Sequence, residues 1–102
     1  MLEIRPNCEL CDCDLPANAT NAMICSYECT YCAGCAHGAL ENVCPKCGGG
    51  FTLRPVRPAR TWRKGLGLAA HPASETRVHT KFSTAEIAAH VARIRDIAPE
   101  DR

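Results

Sequence analysis

The sequence has few large apolar side chains. Aromatic residues make up only 5% of its 102 residues, and alanine and cysteine account for more than half of the 46% that is hydrophobic. A chain this short is expected to form one small domain, with or without an appendage. Too few large apolar residues remain for one core across the whole chain, so we expect disulfide bonds or bound metal to stabilise the fold.

Long apolar runs are also missing. No stretch reaches the length needed to span a membrane, and "MLEIRPNCEL" lacks the apolar run and the small-residue cleavage site of a signal peptide. We therefore expect a cytoplasmic protein with no membrane partner, in a reducing compartment that keeps thiols free. The cysteine count of nine is odd, so complete disulfide pairing would leave one thiol over. Both observations favour metal over disulfides, and zinc in particular.

Most of the cysteines fall into close pairs. The four pairs are Cys8 and Cys11, Cys25 and Cys29, Cys32 and Cys35, and Cys44 and Cys47. Two or three intervening residues allow a tight turn to direct both sulfurs at one metal ion about 2.3 Å away. Because a structural zinc site takes four such ligands, the pattern predicts two zinc ions per chain.

Cys13 belongs to none of these pairs. It lies between Asp12 and Asp14 and close to Cys11. Negative neighbours, together with a nearby thiolate site, raise the pKa of a thiol and reduce its reactivity. We therefore predict that Cys13 is a spare, unreactive thiol outside both sites, with ligand exchange against Cys11 as the alternative.

Two pairing schemes are possible. Adjacent pairs could close two sites in series, as in LIM-like modules, or alternate pairs could close a cross-brace. The stretch "CTYCAGCAHGALENVCPKC" resembles the second half of a RING domain, with Cys29 where a RING usually has histidine. That resemblance implies the cross-brace. It assigns Cys8, Cys11, Cys32 and Cys35 to one zinc, and Cys25, Cys29, Cys44 and Cys47 to the other.

A second resemblance covers nearly the whole chain. The runs "RPNCELCDCDLP", "ICSYECTYCAGC", "NVCPKCGGGF" and "RPVRP" resemble the short bacterial proteins grouped as domain of unknown function 1272. The runs "HPAS" and "APEDR" are similar to the longer members. The resemblance implies a small cytosolic bacterial zinc-binding protein of unsettled function. Cys13 departs from the eight-cysteine pattern of that family.

The predicted fold is a small metal-stabilised α+β domain, RING-like or treble-clef, with a short hairpin and a C-terminal helix. Residues 1–53 are the cysteine module. The run "FTLRP", which begins at Phe51, is predicted to form a short strand that leaves this module. Residues 54–75 are a basic, Pro/Gly-rich extended linker. Residues 76–102 hold a brief strand in "TRVHTKF" followed by an amphipathic helix.

The C-terminal helix has a clear start and a clear apolar face. Ser83 and Glu86 form a capping-box signature, and Pro99 is predicted to end the helix. One face carries Ile87, Val91, Ile94 and Ala98. An isolated helix of this length is only marginally stable in water. We therefore expect this apolar stripe to pack within the chain or across a dimer.

Charge and site chemistry favour a binding role. Residues 1–50 carry six acids and two bases, whereas residues 51–102 carry five acids and ten bases. Closed four-sulfur sites leave no position for a catalytic water, so we expect no enzyme activity. The predicted function is a RING-like adaptor, whose partner is another protein or its own C-terminal segment.

Two other functions remain open. The first is nucleic-acid binding, in which a basic strip in residues 54–64 contacts backbone phosphates and one aromatic residue stacks on a base. In the alternative to this function, the arginines of the strip fold back on the acidic module. The strip contains Arg54, Arg57, Arg60, Trp62, Arg63 and Lys64. A ubiquitin-ligase-like component is less favoured, because Gly48 follows the last cysteine where a RING ligase has a basic residue.

Overall fold

The computed structural model describes residues 1–102 as a small α+β fold around a three-stranded antiparallel sheet. The strands are β1 (Ala22–Ile24), β2 (Thr30–Cys32) and β3 (Thr52–Leu53), in the order β2-β1-β3. Helix α1 (Ala33–His37) follows β2 directly, and helix α2 (Thr84–Ile94) lies near the C-terminus. A 3-10 turn at Pro99–Asp101 follows α2.

The sheet positions Cys25, Cys29 and Cys32, which lie in the β1–β2 turn and at the end of β2. β1 and β2 form a hairpin with Met23 opposite Tyr31, and β3 pairs with the other edge of β1. Tyr31 is 1% exposed and makes an edge-to-face contact with Phe51, with ring centroids 5.2 Å apart. The predicted hairpin and the short strand after Phe51 are both confirmed.

Cysteines form part of the hydrophobic core. Cys8, Cys25, Cys29 and Cys44 belong to the same buried cluster as Leu15, Leu40 and Val43. All nine cysteines are free thiols, so no disulfide stabilises the fold. The core is therefore small and sulfur-rich, as expected of a domain that relies on metal for part of its stability.

Helix α2 begins where the capping box predicts. The Ser83 hydroxyl accepts from the Glu86 backbone N–H at 3.1 Å, and the Glu86 carboxylate accepts from the Ser83 backbone N–H at 3.1 Å. Ile87 and Val91 are buried in the core, so the apolar stripe packs within the chain. A dimer through this stripe would require α2 to leave its own core.

The predicted end of α2 is wrong. The helix stops at Ile94, and the chain then turns, with the Ile97 N–H bonded to the Ile94 carbonyl at 2.9 Å. Ala98 is extended, at φ −57° and ψ 139°, because a residue before proline avoids the helical region. Pro99 therefore starts a separate turn, and Ala98 is not on the helix face.

The predicted strand in residues 76–82 is also wrong. The Val78 carbonyl accepts from the Asn7 side-chain amide at 2.9 Å, and the Val78 N–H donates to the Asn7 amide oxygen at 3.2 Å. A side chain thus takes the bonds that a neighbouring strand would supply. The segment still runs beside residues 4–9, because the Ser74 and Thr80 N–H groups donate to the Ile4 and Glu9 carbonyls at 2.9 and 2.8 Å.

Residues 54–75 contain no helix or strand. Their first residue, Arg54, is only 4% exposed, whereas most of the later ones are exposed. Neither helix of the fold is long and apolar enough to cross a lipid bilayer.

Candidate metal centres

The first sulfur cluster joins the amino-terminal loop to the hairpin. The sulfurs of Cys8, Cys11, Cys13 and Cys32 all lie within 4.8 Å of one another, and those of Cys11 and Cys32 are 3.8 Å apart. Thiolates bound to one tetrahedral zinc at about 2.3 Å are separated by about 3.8 Å. The Cys11–Cys32 distance therefore matches that of a zinc–thiolate site, and the whole group is compact enough to surround one metal ion.

The membership of this cluster differs from the predicted ligand set. Cys13 lies inside the group although it was predicted to lie outside both sites, and Cys35 falls outside the group. The Cys35 sulfur nevertheless interacts with those of Cys32 and Cys11. The cluster thus has five nearby thiols, and Cys13 lies where the predicted alternative, ligand exchange against Cys11, requires it to lie.

The second sulfur cluster joins the hairpin turn to the last cysteine pair. The sulfurs of Cys25, Cys44 and Cys47 lie within 4.8 Å of one another. Cys29 is outside this group, but it is 2% exposed and its sulfur interacts with those of Cys25 and Cys44. All four predicted thiols of the second site are therefore in one neighbourhood. In both clusters the sulfurs come from alternate pairs rather than adjacent ones.

Backbone N–H groups point at the sulfurs in every pair. The Cys11 and Cys35 amides approach the Cys8 and Cys32 sulfurs at 3.5 and 3.4 Å. In the second cluster, Cys25 accepts from the Tyr27 amide at 3.3 Å and Cys47 from the Gly49 amide at 3.4 Å. Hydrogen bonds to a thiolate favour its charged form, which is the form that binds metal.

Three residues in the left-handed backbone conformation make these turns possible. Asp12 (φ 64°), Glu28 (φ 68°) and Gly48 (φ 79°) each lie within or directly after a cysteine pair. Gly48 has a second constraint, since a Cβ there would lie 3.2 Å from the Ile94 side chain of α2. The turn that carries Cys44 and Cys47 is therefore shaped to receive the helix.

The close thiols shift one another's pKa values. The backbone N–H of Cys13 is the main cause that lowers the pKa of Cys11 to about 7. Hydrogen bonds from the thiols of Cys29 and Cys44 are the main cause that lowers the pKa of Cys25 far below its usual range. Each cluster thus contains one thiol whose neighbours stabilise its thiolate, the form that binds metal.

The pKa of Cys13 is raised, as predicted, and the neighbouring cysteines contribute to the shift whereas Asp12 and Asp14 do not. Desolvation beside the cluster, followed by the hydrogen bond with the Cys11 sulfur, raises it to about 12. The carboxylates of Asp12 and Asp14 instead bind Arg77, at 2.9 and 2.8 Å. The acidic neighbours therefore hold the loop in place.

A buried carboxylate braces the first cluster, and the sequence did not reveal it. Glu9 is 5% exposed. Its carboxylate accepts from the Thr30 backbone N–H and from the Arg5 guanidinium, the latter at 2.9 Å. It thereby ties the loop between Cys8 and Cys11 to the start of β2, which leads to Cys32. A Glu-Leu pair between two cysteines carries no sequence signal for this role.

The C-terminal helix supports the second cluster. The His90 Nε2 is 3.0 Å from the Cys44 carbonyl, and Arg95 pairs with Glu41 at 3.0 Å. Arg102 donates to the carbonyls of Asn42 and Gly48 at 2.7 and 3.2 Å. The C-terminal residues therefore hold the loop that presents the last two cysteines.

The basic strip is split by the structure. Arg54 donates to the carbonyls of Arg5, Leu15 and Pro16 at 2.8, 3.3 and 3.0 Å, and Arg57 donates to those of Leu2 and His71 at 2.6 and 2.9 Å. Both arginines fold back on the chain, but they bind carbonyls and not the acids of the module.

The remaining part of the strip faces solvent. Arg60, Arg63 and Lys64 are exposed, and Trp62 is 74% exposed. With Met1 and Leu66, Trp62 lines an open groove of about 550 Å³. Only three cations of the strip are therefore free to meet a ligand.

The residues present fit a metal. The clusters consist of thiols alone, as in structural zinc sites, and oxygen-preferring cations such as magnesium or calcium do not select thiolate ligands. Fold and clusters together define a small α+β protein with two cysteine clusters suited to metal ions.

The chain belongs to the family described as protein of unknown function DUF1272, whose match covers residues 1–57. It is also similar to the uncharacterized protein R02474 of Rhizobium meliloti (strain 1021), at 54% identity over 78 residues, covering 76% of this chain and 86% of that protein. No solved structure matches the chain significantly. The matched segment contains all nine cysteines and ends at Arg57, within the basic strip.

Proposed function

We propose that this protein is a non-catalytic, RING-like adaptor whose interaction surface is held in shape by two zinc ions in a cross-brace. One observation carries the proposal: sulfurs from alternate cysteine pairs meet in two separate clusters. Zinc bound there supplies folding free energy, since thiolate ligands gather around the metal only when the chain is folded. The reducing cytoplasm is the compartment that keeps such thiols available.

The proposal that the sites are structural rests on their ligands. The clusters contain sulfur donors without an admixed histidine or carboxylate, and four thiolates around zinc leave no open position for water or substrate. His90 is near the second cluster, but it contacts the Cys44 carbonyl and not a sulfur.

The adaptor role rests on exposed apolar surface. Tyr27, Leu53, Trp62 and Leu66 are each more than half exposed. Exposed apolar residues that adjoin one another are typical of binding surfaces. Trp62 and Leu66 share one groove. Aromatic residues with neighbouring arginines are enriched in protein interfaces.

The cross-brace is tested by removing one ligand and mapping the others. In zinc-loaded Cys25→Ser, we expect loss of one zinc and alkylation of Cys44 and Cys47, while Cys8 stays protected. A serial arrangement would instead expose Cys11, which would rule out the cross-brace. Ser26→Ala, at the exposed neighbouring position, is the matched control and should leave zinc content and alkylation unchanged.

The adaptor role is tested with the same variants. Wild type and Ser26→Ala, immobilised with zinc, should retain the same partner proteins from native cytosol, and Cys25→Ser should lose them. Retention of those partners by Cys25→Ser would contradict a zinc-shaped interaction surface, even if the metal assignment holds.

Two other functions receive less support. Nucleic-acid binding would rely on Arg60, Trp62, Arg63 and Lys64, because Arg54 and Arg57 bind carbonyls of the chain itself. A ubiquitin-ligase-like role lacks the basic residue after the last cysteine, where Gly48 instead adopts φ 79° and is packed against α2.

A further inference from the structure

Five thiols surround the first cluster, although a tetrahedral site takes four. The sulfurs of Cys13 and Cys35 interact with the same two sulfurs, those of Cys11 and Cys32. Cys13 lies within 4.8 Å of Cys8 as well. Either sulfur could therefore complete a four-thiolate site with Cys8, Cys11 and Cys32, but not both at once.

The position of Cys13 beside the cluster is fixed by several contacts. Its carbonyl accepts from the Cys8 N–H at 2.9 Å, and the Asp12 N–H donates to the Cys8 carbonyl at 2.9 Å. The residues on either side are held by Arg77, which binds the carboxylates of Asp12 and Asp14. Cys13 is thus built into the cluster by its own loop.

The two competing thiols differ in their surroundings. Cys13 and Cys11 are exposed to solvent, whereas Cys35 is half-buried in helix α1. In the second cluster Cys25, Cys29 and Cys44 are all buried, and only Cys47 is exposed. An incoming thiol or chelator can therefore reach the first cluster more easily than the second.

We propose that Cys13 and Cys35 share the fourth ligand position of the first metal site, so that its zinc changes ligand and leaves the protein faster than the zinc of the second site. This inference rests on the proposed two-zinc function. As the Cys13 sulfur binds the metal it releases its proton to solvent, and the Cys35 sulfur leaves the metal and takes up a proton. No oxidation is involved.

The test is the zinc content of four proteins, measured by native mass spectrometry: wild type, Cys13→Ser, Cys35→Ser and the double variant. Both single variants should keep the same number of zinc ions as wild type, and the double variant should lose one. In Cys35→Ser, Cys13 should become protected from alkylation. In Cys13→Ser, the faster of the two zinc transfers to an added chelator should slow down.

Three results would overturn the inference. Loss of a zinc in Cys35→Ser but not in Cys13→Ser would make Cys35 the sole fourth ligand. Loss in Cys13→Ser but not in Cys35→Ser would make Cys13 the sole fourth ligand. Full zinc content in the double variant would show that neither is needed.

Failure of the proposed function looks different, because wild type itself would then bind fewer than two zinc ions. Protection of the buried Cys44 from alkylation shows that each variant remains folded around its second site. With that protection in place, a change in zinc count reports on the first site and not on global unfolding.

Discussion

Arg54 illustrates how single residues hold this small fold together. Its guanidinium is buried and has no carboxylate partner, but it donates to carbonyls from three residues, Arg5, Leu15 and Pro16. Burial lowers the pKa of the guanidinium, which nevertheless stays charged because arginine remains protonated in proteins. Arg54 therefore connects the start of the chain with the segment that leaves β3.

Replacing Arg54 should destabilise the protein without touching a metal ligand. Arg54→Ala leaves one buried and two partly buried carbonyls without this donor, and we expect a loss of about 1–3 kcal/mol in the free energy of unfolding. Urea titration of the zinc-loaded protein measures this loss. The exposed Arg60→Ala is the control and should stay within about 0.5 kcal/mol of wild type. Equal effects in the two variants would contradict a structural role for Arg54.

Residue-scale features were predictable where they depend on local spacing. The cysteine pairs have the separation that one tight turn requires, so the thiols that gather in each cluster were largely identified from the sequence. Cys13 and Glu9 were not, because their positions depend on a left-handed turn at Asp12 and on a hydrogen bond to Thr30, 21 residues away.

Helix α2 is the element that joins the two halves of the chain. Ile87 and Val91 enter the core, and Ile94 lies against Gly48 beside the second cluster. The helix has 11 residues, and isolated helices of that length are marginal in water. Its stability must come mainly from this packing.

Truncating the buried face of α2 should therefore weaken the whole fold. Ile87→Ala removes a side chain that is 6% exposed, and such substitutions cost about 2–5 kcal/mol. We expect a lower melting temperature and faster proteolysis after residue 82. Arg93→Ala, on the exposed face of the same helix, is the control. An unchanged melting curve for Ile87→Ala would mean that α2 is attached to the domain by the chain alone and does not stabilise the core.

Element boundaries were predictable only where side chains act locally. The capping box of Ser83 and Glu86 fixed the start of α2, because both hydrogen bonds lie within one turn. The end at Ile94 depends on a turn that forms before Pro99. The predicted strand around Val78 was lost to Asn7, a residue 71 positions away, which no local pattern could reveal.

Acidic and basic residues are unevenly distributed along the chain. The amino-terminal half is acidic and the carboxy-terminal half basic, and ion pairs join them where Arg77 meets Asp12 and Asp14 and where Arg95 meets Glu41. These pairs are exposed, so each contributes little to stability. Their main effect is to orient the C-terminal segment on both clusters.

This charge distribution predicts weak nucleic-acid binding. Three free cations in the strip allow a log–log salt slope no steeper than about −2 on single strands, at roughly −0.7 per contact. We expect dissociation constants no tighter than micromolar at physiological salt, because the acidic half repels phosphate. Fluorescence titration with a single-stranded oligonucleotide measures both. Submicromolar binding that disappears in Arg60→Gln/Arg63→Gln, but not in Arg93→Gln, would favour the nucleic-acid function.

The account as a whole depends on metal in both clusters. Purified protein, prepared in a reducing buffer with zinc and then freed of loosely bound metal, should contain two zinc ions per chain, one for each cluster. A strong chelator should remove them and abolish the circular-dichroism signal of the fold, because metal binding supplies much of its folding free energy. A folded chain that contains one zinc ion or none would contradict the account.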